Sequence, residues 1–285
     1  MHRLAAIALL TVMTAVANAA ALVLRDIPYS THPGSDPTLT SLDLYLPEAK
    51  AKSPSPVMIL IHGGGWSIGD KSNRNFIEPK AAWFVEKGFV VVSINYRLSP
   101  AVVHPAHIDD VCTAIAWVER HIAKHGGDPE KIWLLGHSAG AQLAALAGVD
   151  RERMTHAGAH PEFLQGVILL DGAGYDIPRQ MAVMTDQGLL GRMYFGAFTQ
   201  DEKIQIDASP ALKQPRNPPP FLILHVATRA DSKKQSDLLA TTLQQAGGKA
   251  TVQGIAGKSH MSINHDLGVR GDPVTEAVAA FIGNR

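Results

Sequence analysis

Short unbroken apolar runs recur along the chain, separated by segments whose apolar residues fall at three- and four-residue spacing. The runs at 57–61, 89–94, 131–135, 166–170 and 220–226 are too short for helices and too uniformly apolar for half-exposed strands. Each is predicted to be a strand buried on both faces, as a parallel sheet requires. Another strand is predicted at 250–255, and two earlier ones at 21–29 and 38–46, around a turn centred on Pro33-Gly34. Helical spacing appears around 81–87, 106–124, 232–246 and 273–282, and residues 49–56 form a surface loop. Strands alternating with helices predict an α/β fold: a mostly parallel central sheet with helices on both faces.

One stretch breaks the rhythm. From 172 to about 210 the chain carries Met181, Met184, Leu189, Leu190, Met193, Tyr194, Phe195 and Phe198, too long and too apolar for a plain loop. It is predicted to be a small cap inserted over the active site, with ordinary helices packed on the sheet as the alternative. Nothing resembles an interdomain linker, so residues 20–285 are expected to form one domain.

Composition narrows the partners. Lys plus Arg and Asp plus Glu each total 26, with no basic block, which argues against nucleic acid or an anionic membrane surface. Residues 1–19 have the form of a signal peptide: Met1-His2-Arg3, an apolar run, then the small-x-small sequence Ala17-Asn18-Ala19. An uncleaved anchor is the alternative, which Asn18 and the alanines disfavour. The protein is therefore expected to be exported, without stable membrane insertion after cleavage. Cys112 is the single cysteine, so no internal disulfide forms, and its helical neighbours mark it as a core residue.

The candidate chemistry lies in two glycine-rich corners. Gly136-His137-Ser138-Ala139-Gly140 joins the apolar run 131–135 to a helix-forming stretch at 141–147. A serine at so sharp a strand-to-helix turn has its hydroxyl thrust outward, and the Ala139 amide, at a helix start, is free to stabilise an oxyanion. The second corner, His62-Gly63-Gly64-Gly65-Trp66, follows the run 57–61. Three successive glycines let the backbone approach a ligand and aim its amides at one point. It lacks the GxGxxG spacing and GK[ST] ending of nucleotide loops, so no cofactor is expected.

With both corners present in this order, each after its own strand, the chain resembles the α/β-hydrolase family. More narrowly, it is similar to hormone-sensitive-lipase-like esterases and arylformamidase-like (kynurenine formamidase-like) hydrolases. The likeness extends over Asn95-Tyr96-Arg97-Leu98 and His104-Pro105. The resemblance implies an α/β-hydrolase fold and oxyanion donors at Gly64 and Gly65 beside Ala139. It also implies a serine, acid and histidine in that chain order. His260, just past the last predicted strand, is the expected base among 13 histidines, with His265 its nearest rival. Asp231, after the strand 220–226, is the expected acid. A helix N-cap is the alternative role for Asp231, and Asp237 is the fallback acid.

Other polar residues are expected to serve structure. His62 braces the glycine loop, His137 packs beside the serine, and Asp109 and Asp110 cap and brace a helix. Trp66 either walls the pocket or joins the core. His121 and His125 stand four apart, as metal ligands can, but lack an accompanying Glu or Cys, and no metal is expected. The expected function is a serine hydrolase that cleaves a small-molecule carboxylic ester through an acyl-enzyme. The alternatives are an arylformamidase-like amidase and a non-catalytic binding protein on the same scaffold, as in gibberellin receptors.

Overall fold

A computed structural model describes residues 22–34, 36–48, 52–184 and 188–283; the expected signal peptide lies outside them. Eight strands make one sheet: β1 (Leu22–Pro28), β2 (Ser41–Leu46), β3 (Ser55–Ile61), β4 (Val90–Ile94), β5 (Gly127–His137), β6 (Leu164–Leu170), β7 (Phe221–Val226) and β8 (Ala250–Ile255). Their order is β1-β2-β4-β3-β5-β6-β7-β8. The β1–β2 and β2–β4 pairs are antiparallel, and every pair from β4 to β8 is parallel. All eight predicted strands are present.

The helices are α1 (Arg74–Glu86), α2 (Ala106–His121), α3 (Ala139–Val149), α4 (Arg151–His156), α5 (Ile177–Met181), α6 (Leu189–Phe198), α7 (Glu202–Asp207), α8 (Ala230–Gln245), α9 (Ser262–His265) and α10 (Pro273–Gly283). Successive side chains on a strand point to opposite faces. Val57, Ile59 and Ile61 therefore join one core with Val111 and Ile115 of α2, Leu143 of α3 and Leu239 of α8. Met58 and Leu60 join the other core, with Ile77 and Phe84 of α1 and Val278 of α10. The continuous apolar runs follow from this arrangement: a central strand covered on both faces has no position for a polar residue. Each such Val, Ile or Leu contributes roughly 1.5–3 kcal/mol by leaving water.

Helix α1 begins seven residues before the predicted start at 81, with Pro79 inside it. Proline removes one backbone hydrogen bond, yet burial of Ile77, Ala81, Phe84 and Val85 outweighs that loss. Every residue of α3 is buried, which accounts for its apolar composition on all sides. No helix among the described residues is long and apolar enough to cross a membrane.

The stretch 172–210 holds α5, α6 and α7, between β6 and β7. Tyr194, Ala197 and Phe198 of α6 are buried in the core, while Leu189 and Leu190 are exposed. The loops after β3, β5, β6, β7 and β8 all emerge at the carboxyl edge of the parallel strands, where open α/β sheets place their ligands.

Candidate active site

The serine corner is built by close backbone approach. Ser138 has φ 55° and ψ −119°, a region an L-residue enters only when its surroundings force it. A Cβ on Gly136 would lie 2.1 Å from the Gly140 carbonyl oxygen, and one on Gly140 would lie 2.2 Å from that of Ile61. Both glycines are therefore required for the turn to close. The Ser138 amide donates to the Leu170 oxygen at 2.9 Å, tying the corner to the end of β6.

His260 lies 3.0 Å from Ser138 Oγ through Nε2 and 2.7 Å from Asp171 Oδ2 through Nδ1. Nδ1 facing a carboxylate must carry the proton, which leaves Nε2 free to accept from the serine hydroxyl. Asp171 follows β6 directly, and its side chain is fully buried. Burial alone would raise its pKa, but the bonds from His260, the Val226 amide and the Arg229 guanidinium outweigh it. They hold the carboxyl well below the usual carboxylate range. Asp171 thus remains an anion, suited to orienting an imidazole and stabilising its protonated form.

This arrangement corrects the acid expected from sequence. Asp231 sits in the first turn of α8, and its Oδ2 accepts from Arg229 Nη2 at 2.6 Å. Arg229 Nη1 donates to Asp171 Oδ2 at 2.7 Å and lies 3.0 Å from His260 Nδ1. The guanidinium therefore stands between Asp231 and the Asp171–His260 pair. β6 is the sheet neighbour of β5, and the Leu170 carbonyl that receives the Ser138 amide immediately precedes Asp171. The available signal was a carboxylate placed immediately behind the buried run ending at Leu170. Asp237, the fallback, pairs with Lys233 on the exposed side of α8, and His265 packs its ring on Phe76.

The His137 ring lies 4.6 Å from that of His260, tilted by 37°, and its Nε2 donates to the His260 carbonyl oxygen at 2.8 Å. Burial lowers its pKa to about 3, so it stays neutral and fixes the backbone that carries His260. On the other side, a Cβ on Gly63 would lie 3.0 Å from Ser138 Cβ, which shows how closely the glycine loop approaches the serine. Gly64 and Gly65 have φ of 111° and 59°, and a Cβ on Gly64 would lie 2.0 Å from the Ile68 oxygen. Among the described residues no hydrogen bond uses the Gly64 or Gly65 amide. Ala139 opens α3, where its amide has no carbonyl one turn back.

The loop is held from behind. His62 Nδ1 bonds the Gly63 oxygen at 2.7 Å, and its ring stacks 4.4 Å from Tyr96, whose hydroxyl donates to the His62 oxygen. Trp66 combines both roles considered for it. It is buried against Tyr194 and Phe198, lines the cavity, and donates through Nε1 to Gln142 at 3.0 Å. Arg97 clamps Asp110 with two side-chain bonds, and Asp109 accepts from Arg153. Burial pushes the Cys112 thiol up, so it stays protonated in the core. His121 stacks on Trp117, and no group of three or more potential metal ligands occurs among the described residues.

Ser138, His260, Asp171 and the glycine loop border a cavity of about 610 Å³, within the range of small-ligand sites. Leu189, Leu190, Met193 and Tyr194 of α6 form part of its wall.

Residues 42–243 match the family model described as BD-FAE. Esterase LipQ of Mycobacterium tuberculosis is 33% identical over 267 residues, covering 90% of this chain and 61% of that protein. Esterase LipC of the same organism is 32% identical over 206 residues, 67% of this chain and 48% of its own. The chain thus spans roughly half the length of the curated relatives it matches, between 42% and 61% for the first three. Among solved structures, a truncated carbohydrate esterase from gut microbiota superposes with a TM-score of 0.77 at 22% identity, covering 94% of this chain and 97% of that one. Esterase B from Lactobacillus rhamnosis gives 0.77 at 19% identity, covering 93% and 86%. With the eight-stranded sheet, these likenesses give the chain the α/β-hydrolase fold.

Proposed function

The chain belongs to the BD-FAE family, and on that premise we propose that it is a serine carboxylesterase acting on small-molecule esters through an acyl-enzyme. One observation carries this reading: a single imidazole bonded at 3.0 Å to a serine hydroxyl and at 2.7 Å to a buried carboxylate, inside a cavity. Ser138 Oγ attacks the ester carbonyl while His260 Nε2 takes its proton, and Asp171 stabilises the imidazolium that forms. The Gly64, Gly65 and Ala139 amides receive the oxyanion, each donor contributing about 3 kcal/mol to the barrier reduction. His260 then protonates the departing alcohol, and a water molecule activated by the same imidazole releases the acid. The esterase names of the relatives support the same chemistry.

The test is hydrolysis of a nitrophenyl acyl ester together with labelling by a fluorophosphonate. Ser138→Ala is expected to abolish both, and turnover surviving in that variant would refute the assignment. The leader at residues 1–19 further supports export, with the mature chain starting at Ala20. Fractionation of an expressing cell with amino-terminal sequencing is expected to recover the protein outside the cytoplasm beginning at Ala20; recovery in the cytoplasm alone would count against export.

A further inference from the structure

The cavity that holds Ser138 is also walled by a residue that the esterase chemistry leaves unused. Lys80, in the second turn of α1, is 2% exposed. Its Nζ donates to the backbone oxygen of Asn264 at 2.8 Å and to that side chain's Oδ1 at 2.9 Å. An ammonium has three donors, so one remains. No carboxylate among the described residues contacts it. The lining of the cavity also includes the apolar Ile77, Phe76 and Leu135.

A buried cation without a counter-charge is costly, and burial accordingly lowers the Lys80 pKa to about 7. The other charged groups of the cavity are already matched. Arg229 is taken by Asp171 and Asp231, and Asp70 by Ser72 and Asn95. An anion entering this space therefore meets two carboxylates at Arg229 and none at Lys80.

We propose that Lys80 is a specificity-determining residue that receives a carboxylate carried by the ester substrate. The preferred substrates are acidic esters, in which the scissile carbonyl lies at Ser138 and a carboxylate on the same molecule lies at Lys80. This proposal rests on the esterase reading of the site. A carboxylate is the fitting partner because it brings the charge that keeps the amine protonated and accepts its third N–H. The apolar wall selects a short hydrocarbon spacer between the ester and the acid.

The experiment pairs each acidic ester with its uncharged isostere. Monomethyl adipate is compared with methyl hexanoate, and 4-acetoxybenzoate with 4-methylphenyl acetate, which places the carboxylate on the acyl side in one pair and on the leaving side in the other. The native protein is expected to favour the acidic member of one pair by about tenfold or more in kcat/KM, the size of one charge-assisted hydrogen bond. Which pair responds identifies the half of the substrate that faces α1. In Lys80→Met the ratio within that pair is expected to collapse toward one through KM. A purely structural role would lower both members in parallel and leave the ratio intact.

A readout without a variant is competitive inhibition of the native protein, with hexanoate expected to bind more tightly than the uncharged hexanamide. No preference in either pair, a preference that survives Lys80→Met, or equal inhibition by hexanoate and hexanamide would overturn the proposal. Failure of all four esters, acidic and neutral, to be hydrolysed would instead refute the esterase assignment.

Discussion

At the scale of single residues, Asp171 and Asp231 present the sharpest contrast. They are both carboxylates bonded to Arg229, yet only Asp171 touches His260. Asp171→Asn would leave a group of the same shape whose amide can donate where a carboxylate must accept. The imidazole would then be held in the wrong tautomer, and kcat is expected to fall about ten-thousand-fold. Asp231 is partly exposed and, among the described residues, pairs with Arg229 alone, an interaction worth about 1 kcal/mol at most. Asp231→Asn is therefore expected to change kcat/KM by less than about fivefold, and paired kinetics of the two variants check the assignment. A large loss in the Asp231 variant alone would reverse it. Ser138 and His260, the proposed nucleophile and base, could be singled out in the sequence because the glycines two before and two after Ser138 suit a strained corner, and His260 falls just beyond a last strand. The carboxylate that bonds His260 could not, because Asp171 and Asp231 each follow a buried strand and each keep the order serine, carboxylate, histidine. The side-chain bonds separate them, with His260 on Asp171 and Arg229 on Asp231.

At the scale of elements, the strands were legible because burial on both faces leaves no choice of residue, whereas α1 was half hidden by Pro79. What α1 does was not legible at all. Its Lys80 ties α1 to α9, two residues past His260 in the chain, through both oxygens of Asn264. The unfolded amine titrates near 10.4, whereas in the fold burial lowers it to about 7. Between those values the unfolded chain holds a proton that the folded chain lacks, so stability rises with pH by up to about 1.4 kcal/mol per pH unit. Below about pH 7 both states hold the proton, and this contribution no longer varies. Other groups, the Cys112 thiol included, are common to the native protein and to Lys80→Met and cancel in the difference. Urea unfolding of the pair is expected to show native stability gaining on the variant between about pH 7 and 10. Parallel curves would mean that the amine stays charged in the fold.

At the scale of the whole molecule, the segment between β6 and β7 supplies part of the cavity wall, and one carboxylate ties its last helix to α4 and to the turn before α2. Asp207, the last residue of α7, accepts from His104 Nε2, Arg153 Nη2 and Lys213 Nζ, each at 2.7 Å. The bond from His104 is the main reason its carboxyl lies well below the usual range, with Lys213 and Arg153 adding to it. A carboxylate with a lowered folded-state value stabilises the fold fully above its unfolded value, near 3.9, and loses that contribution as pH falls toward the folded one. The size is limited by solvent, since the Asp207 side chain is 41% exposed. It is limited further because Arg153 retains Asp109 and Lys213 retains Asp150 when Asp207 is neutralised. Asp207→Asn is therefore expected to cost no more than about 1 kcal/mol at neutral pH. The gap between native and variant unfolding midpoints should hold down to about pH 5 and narrow below about pH 4. A gap of constant size across that acid range would show that the tie is made by hydrogen-bond geometry, which asparagine fails to reproduce, and that the charge contributes nothing.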